Sequence, residues 1–164
     1  MKPGHTPETG GALTETRPRL FAVASAGGHW QQLMELRPAF VGCDVLYGTT
    51  IEGLAAEFGA FPSVVLPDCN RNELWRLPQV ATALNREIRR FRPDVVLSTG
   101  ALPGVAALVI GKSVRARTVW IDSIANAEKM SMSGKMARRF ADLWLSQWKH
   151  VAEAEGAGFY GGIL

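Results

Sequence analysis

A chain of 164 residues, 47% hydrophobic and 20% charged, has the size and composition of one globular domain, able to bury a core without disulfides or a structural metal. No apolar run is long enough to cross a bilayer as a helix, and Cys43 and Cys69 stand in no metal-ligand spacing, so neither a membrane span nor a metal or other cofactor is expected. The net charge of +3 favours an anionic partner without choosing among phosphate groups, nucleic acid and lipid.

Residues 1–19 carry Pro, Gly, Thr and Glu with little apolar content and no signal-peptide pattern, and are expected to be a disordered tail. Residues 20–164 show no repeat or linker and should form one domain with free thiols, as suits a reducing cytoplasm. Strand-like apolar runs recur at Leu20 to Ser25, Val45 to Tyr47, Val64 to Leu66, Val95 to Leu97, Val119 to Ile121 and Leu143 to Leu145. Segments of helical period separate them, the clearest being Leu77, Val80, Ala81, Leu84, Ile88 and Phe91. This alternation predicts an α/β class, a single Rossmann-like domain whose mostly parallel sheet has helices on both faces. Ligands of such sheets gather beyond the carboxyl ends of the strands, which directs attention to three loops.

The first, Ser25-Ala26-Gly27-Gly28-His29, leads from a strand into a helix. Ser25, Gly27 and Gly28 suit a phosphate or diphosphate seat, because glycines let backbone N–H groups approach an anion at a helix N-terminus. A tight turn needs glycine for its own sake as well, and neither the GxGxxG nor the P-loop pattern is present. His29 could bind phosphate, take a proton from an acceptor hydroxyl, or serve only the structure.

In the second loop, Ser98-Thr99-Gly100 is followed by Leu102-Pro103-Gly104, where Gly100 either admits a ligand or forms a turn. The third begins at Asp122 and Ser123 and continues through Asn126 to Ser131, Ser133 and Gly134. Asp122 is a candidate general base, and Ser123 and Asn126 are candidate sugar ligands, although Asp and Ser are also ordinary helix caps. Between the first two loops, Leu74, Trp75, Arg76 and Leu77, with Arg71, Arg86, Arg89 and Arg90, form a candidate surface for an anionic membrane, or else a solvated helix face.

The GGH loop, Arg92-Pro93-Asp94 with its strand, the stretch Trp120 to Lys135 with its SxSGK ending, and Phe140 to Trp148 with its AD and QW pairs keep one order and spacing. From about Leu20 to Leu164 they resemble the acceptor-side subunit of the two-component UDP-GlcNAc transferase of dolichol-linked oligosaccharide synthesis, with its bacterial capsule and exopolysaccharide counterparts. The resemblance implies the N-terminal half of a GT-B glycosyltransferase, which works with a separate donor-binding subunit that brings the UDP-sugar. It implies a polyprenyl-diphosphate-linked acceptor seated on Gly27, Gly28 and His29, with Asp122 and Ser123 near the acceptor hydroxyl. A nucleic-acid partner is not expected. Eukaryotic members usually begin with a hydrophobic anchor; its absence here implies the bacterial type, cytoplasmic and held peripherally at the inner face of the cell membrane. The alternatives are a non-catalytic membrane scaffold that recruits a soluble glycosyltransferase, and a stand-alone nucleotide-binding module.

Overall fold

Along Arg19–Val23 alternate side chains enter opposite cores: Leu20 and Ala22 join one cluster, Phe21 and Val23 the other. A strand buried on both faces belongs inside a sheet with helices above and below. The computed structural model, which describes residues 16–70 and 72–163, has that arrangement. Its strands are β1 (Arg19–Val23), β2 (Asp44–Thr49), β3 (Ser63–Val65), β4 (Val95–Ser98), β5 (Arg117–Ile121) and β6 (Leu143–Leu145). Its α-helices are α1 (Gly28–Glu35), α2 (Leu54–Glu57), α3 (Leu77–Phe91), α4 (Ala101–Ser113), α5 (Met132–Ala137) and α6 (Lys149–Glu155).

All pairings are parallel, in the order β3-β2-β1-β4-β5-β6. The chain winds outward in one direction from β1 and in the other from β4, so a crevice opens between the carboxyl ends of these two neighbours. One face is covered by α3, α4 and α5, whose Val80, Leu84, Ile88, Leu102, Val105, Leu108 and Ala137 pack on Phe21, Val23, Val96 and Trp120. The other carries Trp30, Leu33 and Met34 of α1, Ala55 of α2 and Phe40. The indole of Trp30 is fully buried edge-on to Tyr47 and Phe58, and its N–H finds no protein acceptor.

All six expected strands form, and the sheet is parallel throughout. Some bounds move. Arg19, assigned to the tail from sequence, is the first residue of β1, and its N–H donates to Asp94 Oδ2 at 2.8 Å; residues 1–15 lie outside the described residues. At the other end the chain runs beside β6, with Gly158 bridged to Leu145 and Ile163 packed on the α1-side core. Leu164 lies outside the described residues. No described helix is long and apolar enough to cross a membrane.

Candidate functional site

The loops that follow β1, β4 and β5 meet where the strand order reverses. Gly27 opens α1 with φ 71°, a left-handed backbone in which a side chain is strained, and no side chain caps the helix. The first N–H groups of α1 therefore lack intrahelical partners and face the crevice with the positive end of the helix dipole.

His29, in the first turn, is half-buried, and its Nδ1 lies 3.1 Å from the carbonyl oxygen of Thr99. A carbonyl only accepts, so Nδ1 carries a proton, and in the neutral ring Nε2 keeps its lone pair. Thr99 Oγ1 returns a bond of 2.7 Å to the His29 carbonyl, which clamps the helix start to the end of β4. Gly100 completes the seat: a Cβ there would overlap the imidazole at Nδ1 and Cε1. Gly100 thus acts through His29 and need not touch a ligand.

Asp122 follows β5 and is 1% exposed. Its Oδ1 accepts from Trp120 Nε1 at 3.1 Å and Ser131 Oγ at 2.5 Å, and its Oδ2 accepts from Ser131 N at 2.8 Å and Asn126 Nδ2 at 3.2 Å. Four donors saturate this carboxylate. Asp122, the candidate general base, is thus turned inward, and its hydrogen bonds shape the loop that carries Asn126 and Ser131. Gly134 makes this possible, because a Cβ there would stand 2.6 Å from Asp122 Oδ1.

A second buried polar layer lies beneath. Gln32 of α1 donates to Ser123 Oγ at 3.1 Å, and its Oε1 accepts from Ile124 N at 3.3 Å and Gln147 Nε2 at 3.0 Å. Gln147 Nε2 also reaches the Asp122 carbonyl at 2.9 Å, and its Oε1 accepts from Ile163 N at 3.0 Å. The indoles of Trp144 and Trp148 donate to the carbonyls of Gly134 and Ile124, each at 2.7 Å. Satisfied on nearly every side, this network holds the third loop in one shape.

These loops wall a cavity of about 380 Å³ lined by Gly28, His29, Ser123 and Asn126, together with Ala101, Ala125, Ser131 and Ser133. Four of the residues expected from sequence are therefore gathered in one place. Ser25 lines a neighbouring cavity of about 330 Å³ with Thr50, Asp68, Cys69 and Asn70; Ala101 and Ser133 belong to both. Burial, then the neighbouring acids Asp68 and Glu73, push the Cys69 thiol above its ordinary pKa, so it remains protonated in that wall. No described group of three or more His, Cys, Asp or Glu side chains is placed to hold a metal ion. Sequence reasoning missed Gln32, and named Thr99 and Gln147 without a role; the only available signal was a pair of glutamines behind the GGH turn.

The expected membrane patch is divided. Leu74 and Trp75 are 55% and 71% exposed beside the start of α3, at the carboxyl edge, with Leu77 and the Arg76 guanidinium next to them. Arg89 and Arg90 lie at the far end of α3, about 20 Å away at 1.5 Å per residue. Arg86 pairs with Glu87 at 2.8 Å, and Arg71 lies outside the described residues.

Known proteins resemble this chain in sequence and in fold. A family described as oligosaccharide biosynthesis protein Alg14 like matches residues 77–164. A UDP-N-acetylglucosamine transferase subunit of Schizosaccharomyces pombe is 34% identical over 79 residues, which cover 44% of this chain and 37% of that protein. Its mouse counterpart is 32% identical over 85 residues, 47% of this chain and 38% of that one. The matched segments thus span well under half the length of these relatives. Among solved structures, Acinetobacter baumannii MurG superposes with TM-score 0.68 at 11% identity over 82% of this chain and 43% of its own. A UDP-N-acetylglucosamine 2-epimerase from Rickettsia bellii gives 0.71 at 13% identity over 90% and 46%. At these identities the superpositions speak for the fold alone.

Proposed function

Because the chain belongs to the Alg14-like family of oligosaccharide biosynthesis proteins, we propose that it is the acceptor-side subunit of a two-part GT-B glycosyltransferase in polysaccharide synthesis. It binds a polyprenyl-diphosphate-linked acceptor at the β1–β4–β5 edge, and a separate subunit brings the UDP-sugar. The observation that carries this reading is His29: Thr99 fixes its tautomer, and the imidazole lines a cavity walled by hydroxyls, an amide and a helix N-terminus.

In this mechanism the acceptor diphosphate sits against the uncapped N–H groups of Gly28 and its neighbours. Ser123, Asn126, Ser131 and Ser133 bond the sugar hydroxyls. The acceptor oxygen bonds to the anomeric carbon as the bond from that carbon to the UDP oxygen breaks, and His29 Nε2 takes the proton that the hydroxyl loses. Asp122 does not touch the reacting atoms; it holds Asn126 and Ser131 in position. One such domain supplies one wall of a GT-B cleft, so transfer requires the partner. Leu74, Trp75 and Leu77 dip into the inner-face bilayer interface, close enough for a lipid-linked acceptor to enter from the side.

The test is transfer by the assembled complex with His29→Gln. This variant should bind the partner normally and lose transfer by about a hundredfold. An unchanged rate would favour the second reading, a non-catalytic scaffold that recruits the transferase.

A further inference from the structure

We propose that the opposite, amino edge of the sheet carries a second site, for a soluble ligand bearing phosphate groups. Where the last turn of α3 meets the starts of β4 and β5, a cavity of about 760 Å³ is lined by Arg89, Arg92, Arg115 and Arg117 over an apolar floor that includes Ile88 and Val95. None of these four arginines makes an ion pair among the described residues. The one carboxylate in the wall, Asp94, already accepts the Arg19 N–H on Oδ2 at 2.8 Å. Four guanidinium groups against this single carboxylate leave the concavity net cationic and attractive to a counter-charge. Guanidinium forks match phosphate oxygens in pairs, which identifies the class of that counter-charge.

The backbone supports a built site over a casually solvated surface. Arg92 at φ 50° and Arg115 at φ 65° both occupy left-handed positions, just after α3 and after the turn that ends α4. Glycine is the unstrained residue at such helix ends. Two arginines stand there instead, at one cavity, and strain of this kind collects where a ligand is held. The edge also lies a full strand length from the acceptor cavity. A bilayer touching these arginines would leave the acceptor site away from the membrane, so a soluble phosphate compound fits better than a lipid headgroup.

The left-handed backbone supplies a clean test. Arg92→Gly with Arg115→Gly removes two charges and relieves the backbone, so the full chain should keep or raise its Tm while losing affinity. Titration of the full chain with inorganic pyrophosphate at low salt, followed calorimetrically, should show a saturable component, distinct from any binding at the α1 diphosphate seat, that is weakened at least tenfold in this variant and in Arg89→Gln with Arg117→Gln. Absence of saturable binding, or binding that both variants retain, would overturn the proposal; retained binding would belong to the carboxyl edge. Phosphatidylglycerol vesicles provide the lipid arm: arginine-dependent vesicle binding without pyrophosphate binding would also overturn the soluble-ligand assignment.

Discussion

The two edges of this sheet handle polar groups in opposite ways. At the carboxyl edge Asp122, Gln32, Gln147 and Ser123 are buried and bonded to one another, and the cavity above them is lined by no lysine or arginine. At the amino edge Arg89, Arg92, Arg115 and Arg117 are exposed and without carboxylate partners, and the neighbouring Lys112 pairs with Asp142. A buried network specifies shape, because every missing bond costs the full desolvation of a polar atom. An exposed cationic rim specifies charge, and its individual members are cheap to alter. Activity should therefore be sensitive to small changes at the first edge and tolerant of large ones at the second.

The strongest challenge to that contrast is His29→Ala in the assembled complex, expected to lower transfer about a hundredfold with little change in Tm. Arg89→Glu and Arg90→Glu reverse two charges at the other edge and should leave the rate within about twofold, since exposed charges contribute little to the fold. If the charge reversals cost as much as His29→Ala, the division of labour fails.

Asp122→Asn sharpens the contrast within the first edge. An amide in place of the carboxylate points donors at donors, at Trp120 Nε1 or at Ser131 N. Urea denaturation should show a loss of about 1–3 kcal/mol, the cost of leaving buried hydrogen-bonding groups unpaired. The transfer defect should appear in KM for the acceptor more than in kcat. A kcat-only defect with native stability would return Asp122 to the reacting atoms.

A smaller effect separates the ends of α3. Trp75→Ser should weaken sedimentation with anionic liposomes severalfold, whereas Arg89→Glu with Arg90→Glu should not, because only the first change lies beside the acceptor crevice. Equal losses would mean that the two ends act as one patch after all.

The smallest expected effect is at Asp142. Hydrogen bonding from Lys112, and then from the Thr118 backbone, holds its carboxyl below the usual carboxylate range. With the folded pKa depressed, the contribution to stability is present above the unfolded carboxylate pKa and disappears as pH falls through the folded one. Asp142→Asn should therefore cost a few tenths of a kcal/mol near neutral pH, an exposed pair being screened by solvent, and nothing in acid. Urea midpoints measured across that range check the sign.

Much of the fold is legible in the residues because each strand is an apolar run and each crossover has a helical period; Leu143 to Leu145 is β6 to the residue. The cavity was legible only in part. Gly28, His29, Ser123 and Asn126 declare themselves as loop residues at strand ends, but nothing in the spelling of Asp122 says that Trp120, Asn126 and Ser131 will close around it. Such burial is a property of packing across the β4–β5–β6 end and has no local signature. The spread of the expected membrane segment along α3 was hidden for a related reason. Neighbours in a list of arginines are set apart once a 15-residue helix stretches between them.

The strand order also bears on how the molecule assembles itself. Every pairing except one joins strands that follow each other in the chain; the exception is Leu20 against Val95, which closes a loop of about 75 residues. The β1–β2–β3 and β4–β5–β6 halves can each form from local contacts, and their joining at β1 and β4 is the entropically expensive step. The acceptor cavity straddles that seam, with Gly28 and His29 on one side and Ala101 and Ser123 on the other. Conditions that loosen the seam should open the cavity while both halves keep their hydrogen-bonded strands, so amide exchange at Phe21 and Val96 would report loss of the site before global unfolding.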